Sequence, residues 1–199
     1  MMMNRFEILD SIVANGNGYL RTSQVLEKGI SKPTLADYVS KRKMERVAQG
    51  VYLAADAWPD ELYLLSLSNN RIVFSHETAL FLHGLMEREP KHTSVTVKAG
   101  YNATHLRHKG IRVYQVKSDA ADLGVMETET GFGNKVRVYD KERTICDILR
   151  YKESMDIQIF QYAMKEYMGG EQKNLNRLMA YAKKFQIESA MRIYTEVML

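Results

Sequence analysis

Apolar side chains at Phe6, Leu9, Ile12 and Val13 recur at helical spacing across residues 4 to 15, with charged residues between them. That pattern predicts an amphipathic helix. Gly16-Asn17-Gly18 stops it. A second helix is expected to start at Thr22 as cap, to carry Val25 and Leu26, and to end at Gly29. Ser31 caps a third, with Pro33 in its first turn and Leu35, Ala36 and Val39 as its apolar stripe. Gly29-Ile30-Ser31 is then a tight turn between two short helices. Two β-type runs, MERVA and VYLA, flank Gln49-Gly50 and read as a hairpin. Three helices followed by a hairpin make a winged helix-turn-helix.

Ala54 to Pro59 marks the expected boundary, and a short helix runs from Pro59 through Leu65. Further on, Ser75 is positioned to cap a helix closed by Gly84. SVTVK, IRVYQV, GVMETET and KVRVYD read as strands, the last two joined at Gly131-Phe132-Gly133-Asn134. A helix is expected from about Glu142 to Tyr151, then two or three amphipathic helices broken at Gly169-Gly170. The expected fold class is α+β: a winged helix-turn-helix over 1-56, then a mixed α/β domain over 57-199. Within the latter, the sheet core spans 57-151 and the helical tail 152-199.

Composition refines this picture. With 199 residues, 45% hydrophobic and 26% charged, the chain suits one large or two small globular domains. The net charge of +4 permits a polyanionic partner without demanding one. Cys146 is the single cysteine, so no disulfide forms within the chain, which fits a reducing compartment. The segment MMMNRFEILD lacks the apolar run of a signal peptide, and no apolar stretch of about 18 residues exists. The expectation is a cytoplasmic protein with no membrane partner.

Charge distribution matters more than its sum. A helix entering the major groove reads bases mainly with its N-terminal residues. Here these are Ser31, Lys32 and Thr34, with Asp37 and Tyr38 beyond them. Lys41, Arg42 and Lys43 end that helix, Arg46 lies in the wing, and Arg21, Thr22 and Lys28 bracket the preceding helix. Such residues suit phosphates on either side of a groove. The basic run equally suits a helix C-terminus favoured by the macrodipole, and winged-helix modules also bind proteins. Lys91, His92, Lys98, His105, Arg107, His108, Lys109 and Arg112 form a second basic region, either an additional DNA-facing surface or a solvated loop.

An enzymatic reading has weaker support. His76 and His83 share a helix face with Glu77 nearby, yet the spacing is not HExxH. Cys146 sits among Ile145, Ile148 and Leu149, as a small core residue would. Neither GxGxxG, GxxxxGK[ST] nor GxSxG occurs. No catalytic, cofactor-binding or metal residues are assigned, and no cofactor is expected. A nuclease or nucleotidyl-group hydrolase would have to draw on His76, Glu77, Asp140, Glu142 and Asp147. A protein-binding module would use Phe160, Tyr162, Met164, Tyr167, Met168 and Met191 as a groove, although that spacing also suits a core.

Four ordered stretches carry a family resemblance: RVAQGVYLAAD, FSHETALFLHGL, TVKAGYNATHLR and YDKERTICDILR. Together they resemble the AbiEi family, antitoxins and autoregulators of bacterial abortive-infection type IV toxin–antitoxin systems. The resemblance implies an N-terminal DNA-binding domain and a C-terminal antitoxin domain. It implies repression of the protein's own operon through inverted repeats in double-stranded DNA. The functional partner it implies is a nucleotidyltransferase-like toxin, countered without a stable complex.

Overall fold

The computed structural model describes Asn4 to Met198; Met1 to Met3, the start of the MMMNRFEILD segment, and Leu199 lie outside the described residues. The chain forms mixed α/β structure, with eleven α-helices and two sheets among the described residues. It divides into two compact units. The first is Met1–Asn70 with Glu129–Val136; the second is Arg71–Thr128 with Arg137–Leu199.

In the first unit, α1 (Arg5–Asn15) opens on a capping box in which Asn4 and Glu7 satisfy each other's backbone donors. β1 (Tyr19–Arg21), α2 (Thr22–Glu27), α3 (Lys32–Lys41), β2 (Glu45–Ala48), β3 (Val51–Leu53) and α4 (Glu61–Ser68) follow. The three strands form an antiparallel sheet in the order β1-β3-β2, with a bulge between Arg46 and Ala48. Leu9, Leu20, Val25, Ile30, Leu35, Tyr38 and Met44 form its buried core. A second cluster, Tyr19, Val51 and Leu53, is covered by Tyr63, Leu64 and Leu67 of α4. This packing carries the unit past the expected boundary at Asp56 to Asn70. Helix α4 starts at Glu61 rather than Pro59, because Asp60 is its cap and accepts from Tyr63 N.

The first unit also contains the tip of a distant hairpin. Asp60 is 2% exposed. Its Oδ2 accepts from Thr130 Oγ1 at 2.5 Å and from Asn134 Nδ2 at 2.8 Å. Asn17, at φ 51°, donates to Gly133 O at 2.9 Å.

The second unit contains β4 (Val73–Phe74), α5 (His76–Leu82), β5 (Ser94–Lys98), α6 (Thr104–His108), β6 (Arg112–Val116) and α7 (Ser118–Ala121). β7 (Val125–Glu129), β8 (Lys135–Tyr139), α8 (Lys141–Arg150), α9 (Ile157–Gly169), α10 (Leu175–Lys184) and α11 (Glu188–Met198) complete the chain. The sheet order is β6-β5-β4-β8-β7. β4 runs antiparallel to β5 and parallel to β8, while β5 and β6 are parallel. Helix α8 is the hub: every side chain from Glu142 to Leu149 is buried. Ile145, Cys146, Ile148 and Leu149 meet Phe160, Met164, Tyr167, Met168, Leu178 and Met191 in one apolar core. The tail residues read as a groove, Tyr162 apart, are therefore interior; Tyr162 is half-buried and donates to Glu87.

Candidate nucleic-acid interface

The geometry at α2 and α3 follows from local chemistry. Gly29 takes φ 70°, a backbone that only glycine adopts readily. Its N–H bonds Leu26 O, and Ile30 N bonds Val25 O, so two carbonyls left over at the helix end are satisfied. Ile30 is thereby turned into the core, and Ser31 is placed to start α3. Ser31 Oγ accepts from Thr34 N and lies 2.9 Å from Thr34 Oγ1.

One side of α3 packs inward through Leu35 and Tyr38. The opposite side exposes Lys32, Pro33, Ala36, Asp37, Ser40 and Lys41. Ala36, expected within the apolar stripe, is on this outer face, and Tyr38, expected among the reading residues, takes the inward position. Tyr38 is 1% exposed and donates to Asp10 Oδ1 at 2.6 Å, and burial pushes its phenol up to about 12. The helical period decides this: Tyr38 lies three residues beyond Leu35, on the same side of the helix.

Between Arg21 and Arg46 the chain carries seven cationic side chains against Glu27, Asp37 and Glu45. Lys28, Lys32 and Lys43 are exposed, and among the described residues no carboxylate pairs with them. Lys41 pairs with Asp37 at 2.9 Å across open surface, a contact weak enough to exchange. Lys43 sits at φ 52°, where Met44 N reaches back to Val39 O and closes the helix. Arg46 is exposed on β2 and donates weakly to Ala48 O.

Besides Tyr38, three of the residues expected to face DNA are engaged by neighbours within the unit or partly buried. Thr22 is the first residue of α2 and no cap; Arg21 precedes the helix, and Gln24 Oε1 accepts from Arg21 N. Thr22 N bonds Gly50 O at 2.8 Å, which ties α2 to the β2–β3 turn. Arg21 is half-buried and its Nε is buried without a partner among the described residues. Arg42 is held by Asp10, with Nε at 3.0 Å and Nη2 at 2.6 Å from its two oxygens. That arrangement lowers the Asp10 carboxyl below its usual range, chiefly through the Tyr38 hydrogen bond.

The second basic region is broken up in the fold. Lys98 pairs with Asp122 at 2.7 Å, and Arg112 Nη1 donates to both Glu77 oxygens, at 3.0 and 3.1 Å. Arg107 and Lys109 are exposed on and just after α6, a helix where a loop was expected, and Lys91 is exposed on a separate loop.

The residues that an enzyme would need have partners within the fold, except that His76, whose Nδ1 lies 3.0 Å from Ser75 Oγ, has a buried Nε2 with no hydrogen-bond partner among the described residues. Asp140 caps α8 and accepts from Tyr181; burial raises its carboxyl. Glu142 accepts from Tyr167 Oη and Asn174 N at 3.0 Å. Asp147 holds Arg143 Nε at 2.9 Å and Arg150 at 3.4 Å. His83 Nε2 meets Tyr139 O at 2.7 Å. His76 is buried, lies at φ 50° and stacks on Tyr114 with centroids 3.5 Å apart. Burial, with Arg143 and Arg150 nearby, lowers its imidazole to about 3. Cys146 donates weakly to Leu178 O, and burial pushes its thiol up. Among the described residues no group of three or more His, Cys, Asp or Glu is gathered as a metal would need. No helix among them is long and apolar enough to cross a membrane.

No family model matches the chain, and no curated protein does. Among solved structures, the chain is similar in fold to the RV2827C protein from Mycobacterium tuberculosis. The TM-score is 0.56 at 12% identity, covering 92% of this chain and 72% of that one. At this identity the likeness is one of fold.

Proposed function

We propose that the first unit is a winged helix-turn-helix that binds double-stranded DNA, with α3 as the reading helix and the β2–β3 hairpin as the wing. The observation that carries this reading is the exposed side of α3, where Ser31, Lys32, Ser40 and Lys41 sit together with Lys28 and Lys43 at the two adjoining turns. Hydroxyls and amines near a helix start suit base edges and phosphates, and the flanking lysines suit the backbone on either side of a groove. Joined to the AbiEi resemblance, it gives an autoregulatory antitoxin that represses its own promoter through inverted repeats. On that account the second unit counters a nucleotidyltransferase-like toxin without a stable complex, in the cytoplasm, and needs no cofactor.

The test is fluorescence anisotropy with a duplex from immediately upstream of the reading frame and a scrambled duplex of equal composition. The expected result is binding of the native duplex at least about a thousandfold tighter at physiological salt. Equal affinity for the two contradicts a sequence-reading role.

A further inference from the structure

The exposed basic run Lys41-Arg42-Lys43 reads as one uniform patch, but the fold splits it. Arg42 follows Tyr38 by four residues and Leu35 by seven, so it continues the row of Leu35 and Tyr38 to the exposed end of α3, away from Pro33, Ala36, Asp37 and Ser40, with its side chain still 52% exposed. There it meets α1. Asp10 accepts three hydrogen bonds, one from Tyr38 Oη at 2.6 Å, one from Arg42 Nε at 3.0 Å and one from Arg42 Nη2 at 2.6 Å. The guanidinium also lies 5.8 Å from the centre of the Tyr38 ring, which packs edge-to-face with Phe6 of α1, ring centres 5.2 Å apart. A forked guanidinium–carboxylate contact fixes direction as well as distance, which a lysine cannot do. One α1 carboxylate therefore grips α3 at two successive turns.

We propose that Asp10 and Arg42 are positioning residues that set the angle of the reading helix against α1, and that Arg42 is no phosphate contact. The inference rests on the DNA-binding reading above and deepens it. It divides the cations of this flank into those that release counterions on binding and one that does not. Counterion release leaves a signature independent of affinity: each phosphate neutralised contributes about 0.9 to the log–log salt slope.

The experiment measures operator binding at several salt concentrations for the parent, Arg42→Ala, Arg42→Lys and Asp10→Asn, with thermal melts to confirm folding. Each variant is expected to bind the operator roughly three- to tenfold more weakly, with the parent's salt slope and unchanged binding to scrambled duplex. The Asp10→Asn/Arg42→Ala double variant is expected to be no weaker than either single one, because the two residues act as a unit. A slope lower by about 0.9 in Arg42→Ala, restored by Arg42→Lys, overturns the inference and makes Arg42 a phosphate contact. Tighter operator binding by Asp10→Asn overturns it too. A parent that does not distinguish operator from scrambled duplex defeats the DNA reading itself, and the positioning role with it. A parent that does distinguish them leaves that reading standing whichever way the variants fall.

Discussion

Asn134 Nδ2 donates to Asp60 Oδ2 at 2.8 Å, across 74 positions of sequence and inside the first unit. Asp60 is almost wholly buried, and its two oxygens are used by Tyr63 N, Thr130 Oγ1 and Asn134 Nδ2. A buried carboxylate is tolerated only when its hydrogen bonds are made. Replacing Asn134 with Ala leaves part of that acceptor unpaired. The expected loss is about 1–3 kcal/mol in chemical denaturation. The same logic applies to a fragment ending at Asn70, which lacks the Glu129–Val136 tip. It is expected to melt below the first unit of the full chain. A fragment of undiminished stability sinks the assignment of the tip to this unit.

Arg143 is fully buried, between the rings of Tyr139 and Phe185 at 4.3 Å each, and paired with Asp147. Arg143→Met leaves the buried Asp147 carboxylate with Arg150, at 3.4 Å, as its one remaining cation among the described residues. The expected destabilisation is about 2–4 kcal/mol, because the closer partner of a buried pair is lost while Arg150 compensates only part of the charge. Arg143→Met combined with Asp147→Leu is expected to recover most of it. Urea melts of both variants decide the point, and a single variant as stable as the parent rules the account out.

The imidazole of His76 is held down to about 3 against an ordinary value near 6.5, first by burial and then by Arg143 and Arg150. Its folded value is depressed, so the unfolded chain takes up the proton first. The stability this group supports is complete above about pH 6.5 and is lost as pH falls from there towards 3, at up to about 1.4 kcal/mol per pH unit. His76→Phe, which keeps an aromatic ring against Tyr114, is expected to flatten that acid limb. In NMR, the ring protons of His76 are expected to show no titration between pH 8 and 5. A midpoint near 6.5 would refute the burial argument.

What was legible in the sequence was what local chemistry determines. Gly29, Ser31 and Pro33 specify a turn and a helix start within a few residues, and the structure has both. SVTVK, at Ser94–Lys98, is long enough for its β-forming residues to declare a strand. β1 and β4, at three and two residues, are too short for any period to register. Helix α6 was hidden in a basic stretch whose only buried positions are Ala103 and Leu106. Tyr38, an aromatic with a polar tip, suits either a groove or a core; its spacing from Leu35 already points it inward, and what no local pattern shows is the Asp10 carboxylate 28 positions away that accepts from its phenol. The role of Asp60 depends wholly on residues 130 and 134, which no local pattern connects to it.

On the proposed function, α3 and its adjoining turns bind DNA phosphates through lysines. The most direct measurement is the salt dependence of duplex binding by the Lys32→Ala/Lys41→Ala/Lys43→Ala variant beside the parent. The predicted log–log slope is shallower by about 2 to 3, as it should be when three phosphates are no longer neutralised. A variant that binds the upstream duplex with the parent's affinity and the parent's slope contradicts that reading.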